Sequence, residues 1–307
     1  MKYVAYKLFF QTGVHFGSGM LDETRQCFLA DTLFSALCVE AVKMGNQTLE
    51  KLYQLVKNGE ILFSDSFPFI DDTLYIPKPM LSIKCEDSDI SSRKKWKNLK
   101  YIPLQELQNY LLGKMDVEKE SHRLEELGTT IVQQKVSLMD EEKSEPYSVG
   151  VFYFQEGNGL YFIVGYEKEE NLTFLEQLID SLGFQGIGGK VSSGLGKYSM
   201  LPIELPTDIT RRMERTKGKF MVLTTSLPKE DEMERAISQA NYLLEKRSGF
   251  IQSETYAKEQ VKKQVQYFLQ SGSIVYNRYS GDVYEVGRKG THSVWRYGKP
   301  LLMGVSE

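Results

Sequence analysis

At 307 residues the chain is long enough for one large or two ordinary domains, and 41% apolar residues with 12% aromatics supply a full core. Its 38 basic and 41 acidic side chains leave a formal charge of -3, so whole-chain electrostatics give no support to a nucleic-acid role, and any such site must be a local patch. Three cysteines (Cys27, Cys38, Cys85) without a C-x-x-C pair predict no disulfides, and three dispersed histidines (His15, His122, His292) argue against a structural zinc.

No run reaches the roughly 18 apolar residues of a membrane span, and Lys2 and Lys7 bracket residues 3–6 where a signal peptide would need an apolar core. The expectation is a cytoplasmic protein without a membrane role. Residues 3–10 are rich in Tyr, Val, Leu and Phe and run into a Gly-containing turn at residues 11–13, which predicts an opening strand. Asp31 can N-cap a helix through Leu33, Phe34, Leu37, Cys38, Ala41 and Val42, whose spacing puts the apolar groups on one face, and Gly45-Asn46 ends it. A second short helix is predicted over 48–57, then strands over 60–64 and 73–76, separated by turn chemistry at Pro68 and Asp71-Asp72.

From Lys84 to Lys100 the apolar periodicity vanishes, with an acidic run at 85–89 and a basic run at 93–97, as in a loop or insertion. Pro103 suits the first position of a helix to Leu112, and the charged stretch 114–126 suits the surface. Residues 129–139, 147–155 and 159–166 have strand composition, and Glu156-Gly157-Asn158-Gly159 reads as a tight turn joining the last two in a hairpin. A helix over 173–182 leads into the glycine-rich loop 183–197, followed by a strand over 197–204. The polar stretch 206–218 reads as a domain boundary. Beyond it come a strand at 219–226, a helix after Pro228 and several strands between Tyr242 and Val286. This order fits an α+β protein of two ferredoxin-like units, each a helix pair on one antiparallel sheet. The units would span 1–206, with an insertion near 84–156, and 215–307.

The glycine-rich loop is the sharpest local signal, because Gly186, Gly188, Gly189, Gly194 and Gly196 with Lys190, Ser192, Ser193 and Lys197 offer backbone N–H, hydroxyl and ammonium groups together. It is not a Walker A loop, since Tyr198 follows Gly196-Lys197 and Val191 stands where the earlier glycine is required. Nor is it a dinucleotide fingerprint, because the third glycine is missing at 191 and a helix precedes it. A flexible connector and a polyanion site both fit its composition. His15-Phe16-Gly17 could supply an imidazole beside a stacking ring, either as an RNA contact or as a general acid or base. Asp31 is explained by capping alone. The basic run 93–97 adds Trp96, a ring on which a base could stack. No hydrolase or two-metal nuclease motif occurs.

Read together, these segments resemble the RAMP superfamily of CRISPR proteins, and within it the family that supplies the fourth subunit of the type III-A Csm effector. The resemblance spans the chain. It rests on His15-Phe16-Gly17, on Asp31-Thr32-Leu33-Phe34-Ser35-Ala36-Leu37, on Phe67-Pro68-Phe69 with Pro77-Lys78-Pro79, and on the loop Gly186 to Lys197. Farther on it rests on Lys246-Arg247-Ser248-Gly249-Phe250, Gly272-Ser273, and His292 with Arg296-Tyr297-Gly298. Ala30 departs from the pattern, which often has Ser there.

The resemblance implies two ferredoxin-like, RRM-related halves and a non-catalytic subunit without cofactor or metal that binds the 5′ handle of crRNA. It implies as partners the large polymerase-like Csm subunit, the first backbone RAMP subunit and, through a β-hairpin thumb placed somewhere in 84–156, target RNA. The loop with Lys190, Ser192, Ser193 and Lys197 would hold handle phosphates, while His15, Phe16 and Arg247 would contact bases or sugar. A crRNA-processing endoribonuclease using His15 and a pure protein-interaction scaffold are the alternatives.

Overall fold

The computed structural model describes residues 1–83, 90–138, 144–253, 255–288 and 290–305. Along the chain come β1 (Lys2–Phe10), a short ribbon of β2 (Phe16–Gly17) and β3 (Thr24–Arg25), α1 (Ala30–Met44), α2 (Asn46–Lys57), β4 (Ile61–Phe63), β5 (Phe67–Ile70) and β6 (Thr73–Pro77). Then follow α3 (Ile90–Asn98), β7 (Tyr101–Pro103), α4 (Leu107–Leu111), α5 (Val117–Glu125), β8 (Gly128–Leu138), β9 (Ser144–Phe154), β10 (Gly159–Tyr166), α6 (Glu169–Gln185) and β11 (Tyr198–Ile203). The remainder is α7 (Thr207–Glu214), β12 (Phe220–Val222), α8 (Glu230–Ile237), β13 (Leu244–Arg247), β14 (Gln266–Leu269), β15 (Ile274–Val275), β16 (Val283–Glu285), β17 (Trp295–Tyr297) and β18 (Leu302–Gly304).

The main sheet runs in the order β11-β1-β10-β5-β6-β7, with β4 also on β10. Strand β1 is covered on both faces, and the one charged group in its buried centre, Lys7, donates to the Asp71 carbonyl. Tyr6 and Leu8 face a core shared with α1, α2 and α6, whereas Ala5 faces a second core on the other side of the sheet. Both cores continue into the C-terminal half. Val283 and Tyr297 join the first, and Met221, Leu223, Ile274, Leu301 and Met303 join the second. Buried hydrogen bonds reinforce the seam: Phe63 N–H donates to the Tyr297 hydroxyl at 2.9 Å, and Thr224 Oγ1 donates to the Phe63 carbonyl at 2.7 Å.

Several expectations are corrected. Pro68 lies in strand β5 opposite Leu160, not in a turn; β6 pairs with β5 only from Phe69 onward, so Pro68 has a side on which no ladder bond is required. The turn at Gly157 exists, with Asn158 N–H donating to the Gln155 carbonyl, but it does not close a hairpin. Strand β9 pairs with β8 over eleven residues, whereas β10, buried along its whole length, takes a central place between β1 and β4/β5. Residues 90–98 form α3 and not a loop, and Trp96 packs against Tyr110 with ring centroids 5.3 Å apart, so it is not a free platform for a base. The acidic run 85–89 lies outside the described residues.

Pro103 ends β7, and the helix begins only at Leu107 after one 3-10 turn. The charged stretch 114–126 contains α5, whose Glu120 is buried and accepts a hydrogen bond from the Tyr75 hydroxyl at 3.1 Å. The polar stretch 206–218 is not an open linker: α7 buries Ile209 and Met213, one turn apart, in the second core. Among the described residues the C-terminal half beyond α7 carries one helix, α8, and not a helix pair. Its strands form the order β15-β12-β18 and separate two-stranded ribbons instead of one four-stranded sheet.

Candidate functional site

A groove of about 340 Å³ opens where β2, the start of α1, the glycine loop and the C-terminal half meet. Its lining includes His15, Phe16, Gly188 and Gly189 from one side and Arg247, Lys263 and Arg296 from the other, with Asp31 and Arg25 between.

The glycine loop begins where Gly186, at φ 100°, ends α6. Its close approach to itself and to His15 and Phe16 demands glycine. A Cβ on Gly196, at φ 81°, would stand 2.2 Å from the Ile187 carbonyl oxygen, and one on Gly189 would stand 2.7 Å from Cδ2 of His15. More than half of the expected row of N–H groups is already committed. Gly189 N–H donates to the His15 carbonyl at 2.8 Å, Gly196 N–H to Gly13 at 2.9 Å, and Lys197 N–H to Thr12 Oγ1 at 3.2 Å. Ser193 and Gly194 bond back to Lys190 and Val191. The loop therefore spends most of its amides on holding itself. Lys190, in left-handed conformation at φ 60°, sets its ammonium 5.0 Å from the Tyr147 ring centroid on β9, while Ser192, Ser193 and Lys197 are exposed outside the groove.

His15 is 6% exposed, and its Nδ1 lies 2.7 Å from the Gly150 carbonyl oxygen. A carbonyl only accepts, so Nδ1 carries a proton, and in the neutral ring Nε2 is the acceptor. The Phe16 ring meets Phe10 and Phe28 edge-on and is buried, so the stacking role expected for it lacks an open face. Thus the structure brings His15, Phe16, Gly188, Gly189 and Arg247 together. It leaves Gly186, Lys190, Ser192, Ser193, Gly194, Gly196 and Lys197 in supporting or outward places.

Asp31 is not the helix cap. Leu29 occupies that position without a side-chain bond, and the Ala30 N–H donates instead to Oδ1 of Asp65, a residue of the β4–β5 connection, at 2.8 Å. Asp31 faces the groove, where Arg247 grips it with a two-pronged fork, Nε to Oδ2 and Nη2 to Oδ1, both at 2.8 Å. Burial opposes the Arg247 charge, but Asp31 outweighs it and holds the guanidinium above its usual value. Arg296 stands 3.8 Å from Asp31 through Nε and donates from Nη1 to the Arg247 and Gln264 carbonyls and to Gln266 Oε1. Its Nη2 is buried with no hydrogen-bond partner. Burial lowers Lys263, which Asp31 pulls up and the two guanidiniums push down.

Sequence reading missed this cluster because Asp31 and Arg247 stand 216 positions apart. The one local sign was Arg296 in the middle of a short, otherwise aromatic strand. Cys27 and Cys38 are free thiols, both pushed up to about 12 by burial. Among the described residues no group of three or more His, Cys, Asp or Glu is placed to hold a metal, and no helix is long and apolar enough to cross a membrane.

The profile of the CRISPR Csm4 C-terminal domain matches residues 215–305. The Csm4 protein of Mycobacterium tuberculosis is 33% identical over 294 residues, covering 95% of each chain, and that of Streptococcus thermophilus is 31% identical over 311 residues, covering 97% of this chain and 98% of its own. In fold, the chain resembles a crystal structure of a Csm3-Csm4 subcomplex from the type III-A interference complex, with TM-score 0.67, 21% identity and 99% of both chains covered. It also resembles a Csm1-Csm4 cassette in complex with pppApA, with TM-score 0.65, 18% identity and 99% and 98% covered. With full-length identity above 30% to two curated relatives and a matching C-terminal domain, the chain belongs to the Csm4 family of CRISPR proteins.

Proposed function

We propose that this chain is a non-catalytic, RNA-holding subunit of a type III-A Csm effector that grips the 5′ handle of crRNA and sits between the large Csm1-type subunit and a Csm3-type backbone subunit. The partners follow from family membership and from the complexes in which related folds were solved. The observation that carries the RNA reading is the groove itself. Arg25, Arg247, Lys263 and Arg296 line it; Glu245 answers Arg25 at 2.6 Å and Asp31 answers Arg247, which leaves Lys263 and part of Arg296 as local positive charge on a chain of formal charge -3. His15 offers an Nε2 acceptor to a ribose 2′-hydroxyl or a base N–H at the groove wall. Its other nitrogen is bound to a backbone carbonyl and not to a carboxylate that would poise it for proton transfer, which favours contact over cleavage.

The order β11-β1-β10-β4/β5 with α1 and α6 on one face supports a ferredoxin-like N-terminal unit over 1–206, and β15-β12-β18 supports a reduced version over 215–307. The β8–β9 hairpin, with Ile131, Val132 and Val136 exposed, is the candidate thumb toward target RNA. The protein works in the cytoplasm, apart from membranes. The test uses labelled crRNA with an intact 5′ handle and the chain together with its large partner, wild type beside His15→Ala. Handle-dependent binding without cleavage is the expected result. Cutting of repeat RNA by wild type and not by the variant would replace the proposal with a processing endoribonuclease.

A further inference from the structure

Arg296 is 3% exposed and is held on two sides, by Asp31 near Nε and by three acceptors around Nη1. A guanidinium that served only as an internal clamp would have its donors satisfied, because a buried charged donor without a partner is costly. Nη2 of Arg296 is the one buried side-chain nitrogen or oxygen among the described residues that lacks a partner. Asp31 does not supply it: its contact with Arg296 is through Nε, at 3.8 Å, and Nη2 finds no acceptor.

Lys263 is the second cation here; unlike Arg296 it has no carboxylate within 4.0 Å among the described residues, and it lies close enough to Asp31, Arg247 and Arg296 to feel the charge of each. Arg247 is answered by the Asp31 fork and also feels Glu245 and Asp65, which leaves Lys263 and the far side of Arg296 as positive charge that burial makes expensive. An acceptor-rich group carrying one negative charge would correct both the charge balance and the orphan donor.

We propose that Lys263 and Arg296 form a subsite for a single phosphodiester group in the floor of the groove, the point at which the C-terminal half takes hold of an RNA backbone. The inference rests on the RNA-holding reading and moves the phosphate grip from the glycine loop, whose amides are mostly committed, to the opposite wall. The groove, at about 340 Å³, has room for a nucleotide-sized group. Asp31 acts as a positioning residue that fixes the Arg247 fork, so the donors left for the ligand are Lys263 and Nη2 of Arg296.

The test is a set of handle RNAs, each with one phosphate neutralised as a methylphosphonate, bound to the chain in complex with its large partner. Wild type should lose roughly tenfold or more at one position. Lys263→Gln should lose a similar factor with unmodified RNA, become insensitive at that same position, and flatten the salt dependence by about 0.7 in log-log slope, and Lys263→Arg should restore the sensitivity. A Lys263→Gln protein that keeps the wild-type position profile and slope overturns the subsite while leaving the RNA reading intact. If wild type shows no handle-dependent binding at all, the RNA reading fails and the subsite is decided by inorganic phosphate. At matched ionic strength against chloride, phosphate should raise the Tm of wild type and not of Lys263→Gln, and an equal rise in both overturns it.

Discussion

The two walls of the groove are built from different kinds of chain. One is built on Gly188 and Gly189 of a continuous segment, Gly186 to Lys197, whose glycines allow it to press against His15 and whose amides bond to Gly13, His15 and the loop itself. The other is assembled from Arg247 on β13, Lys263 in a connection and Arg296 on β17, and it keeps unspent charge. The continuous wall announces itself in the sequence and is mostly self-satisfied; of the assembled wall the sequence flags Arg247 and Arg296 in separate motifs, but not Lys263 or that the three meet, and this wall holds the orphaned Arg296 nitrogen. A conspicuous motif can therefore be the scaffold of a site, with the ligand-facing groups opposite it.

The largest expected effect comes from breaking the charge cluster. Asp31→Ala leaves Arg247 and Arg296 buried without their carboxylate and should cost about 3–5 kcal/mol in urea unfolding. The double change Asp31→Ala with Arg247→Ala should cost less than the sum of the single changes. Additive losses would mean that the fork contributes nothing as a pair. Next comes Asp65, which ties the two halves together by accepting from Ala30 N–H on α1 and from both Thr225 N–H and Thr225 Oγ1. Asp65→Ala orphans these buried donors and should cost about 3 kcal/mol.

Burial pushes Asp65 up to about 6 against the pull of those donors. Its folded-state value is raised above the ordinary value of about 3.9. The folded state therefore binds more protons across that window, and this contribution, complete below about pH 4, is lost as pH rises through about 6. Asp65→Asn should flatten stability against pH between about 4 and 6, read from unfolding midpoints, and an unchanged slope would place the titration elsewhere.

Smaller effects separate scaffold from contact within the continuous wall. Gly196→Ala drives a Cβ against the Ile187 carbonyl at positive φ and should cost about 2–3 kcal/mol, whereas Gly194→Ala, at φ 83° with nothing within 4 Å, should cost about 1 kcal/mol. Equal costs would show that the loop is not held by close packing. Lys190→Ala removes the contact with Tyr147 and should cost about 0.5–1 kcal/mol in stability.

Much of the N-terminal half could be read directly. The opening strand, α1 with its stop at Gly45, α2, α6 and β11 follow from apolar spacing and turn residues, since each is decided by its own window of sequence. The elements that were misread share a different cause. Strand β9 has strand composition whichever partner it takes, and only the burial of β10 on both faces forces β9 onto β8 instead. Pro68 reads as a turn until a strand is seen to tolerate it, and α7 reads as a linker until Ile209 and Met213 find the second core.

By itself the sequence determined the family and the apolar periods and marked the glycine loop as a conspicuous motif, because motif and period are local properties of the chain. The tertiary structure alone decided which residues face one another. It turned Asp31 from helix cap to counter-ion of Arg247, closed most of the glycine-loop amides, and put Lys263 in the same groove as Arg296, whose Nη2 has no partner. Charge interactions and donor satisfaction depend on distance and burial, and residues 216 positions apart carry no local trace of either.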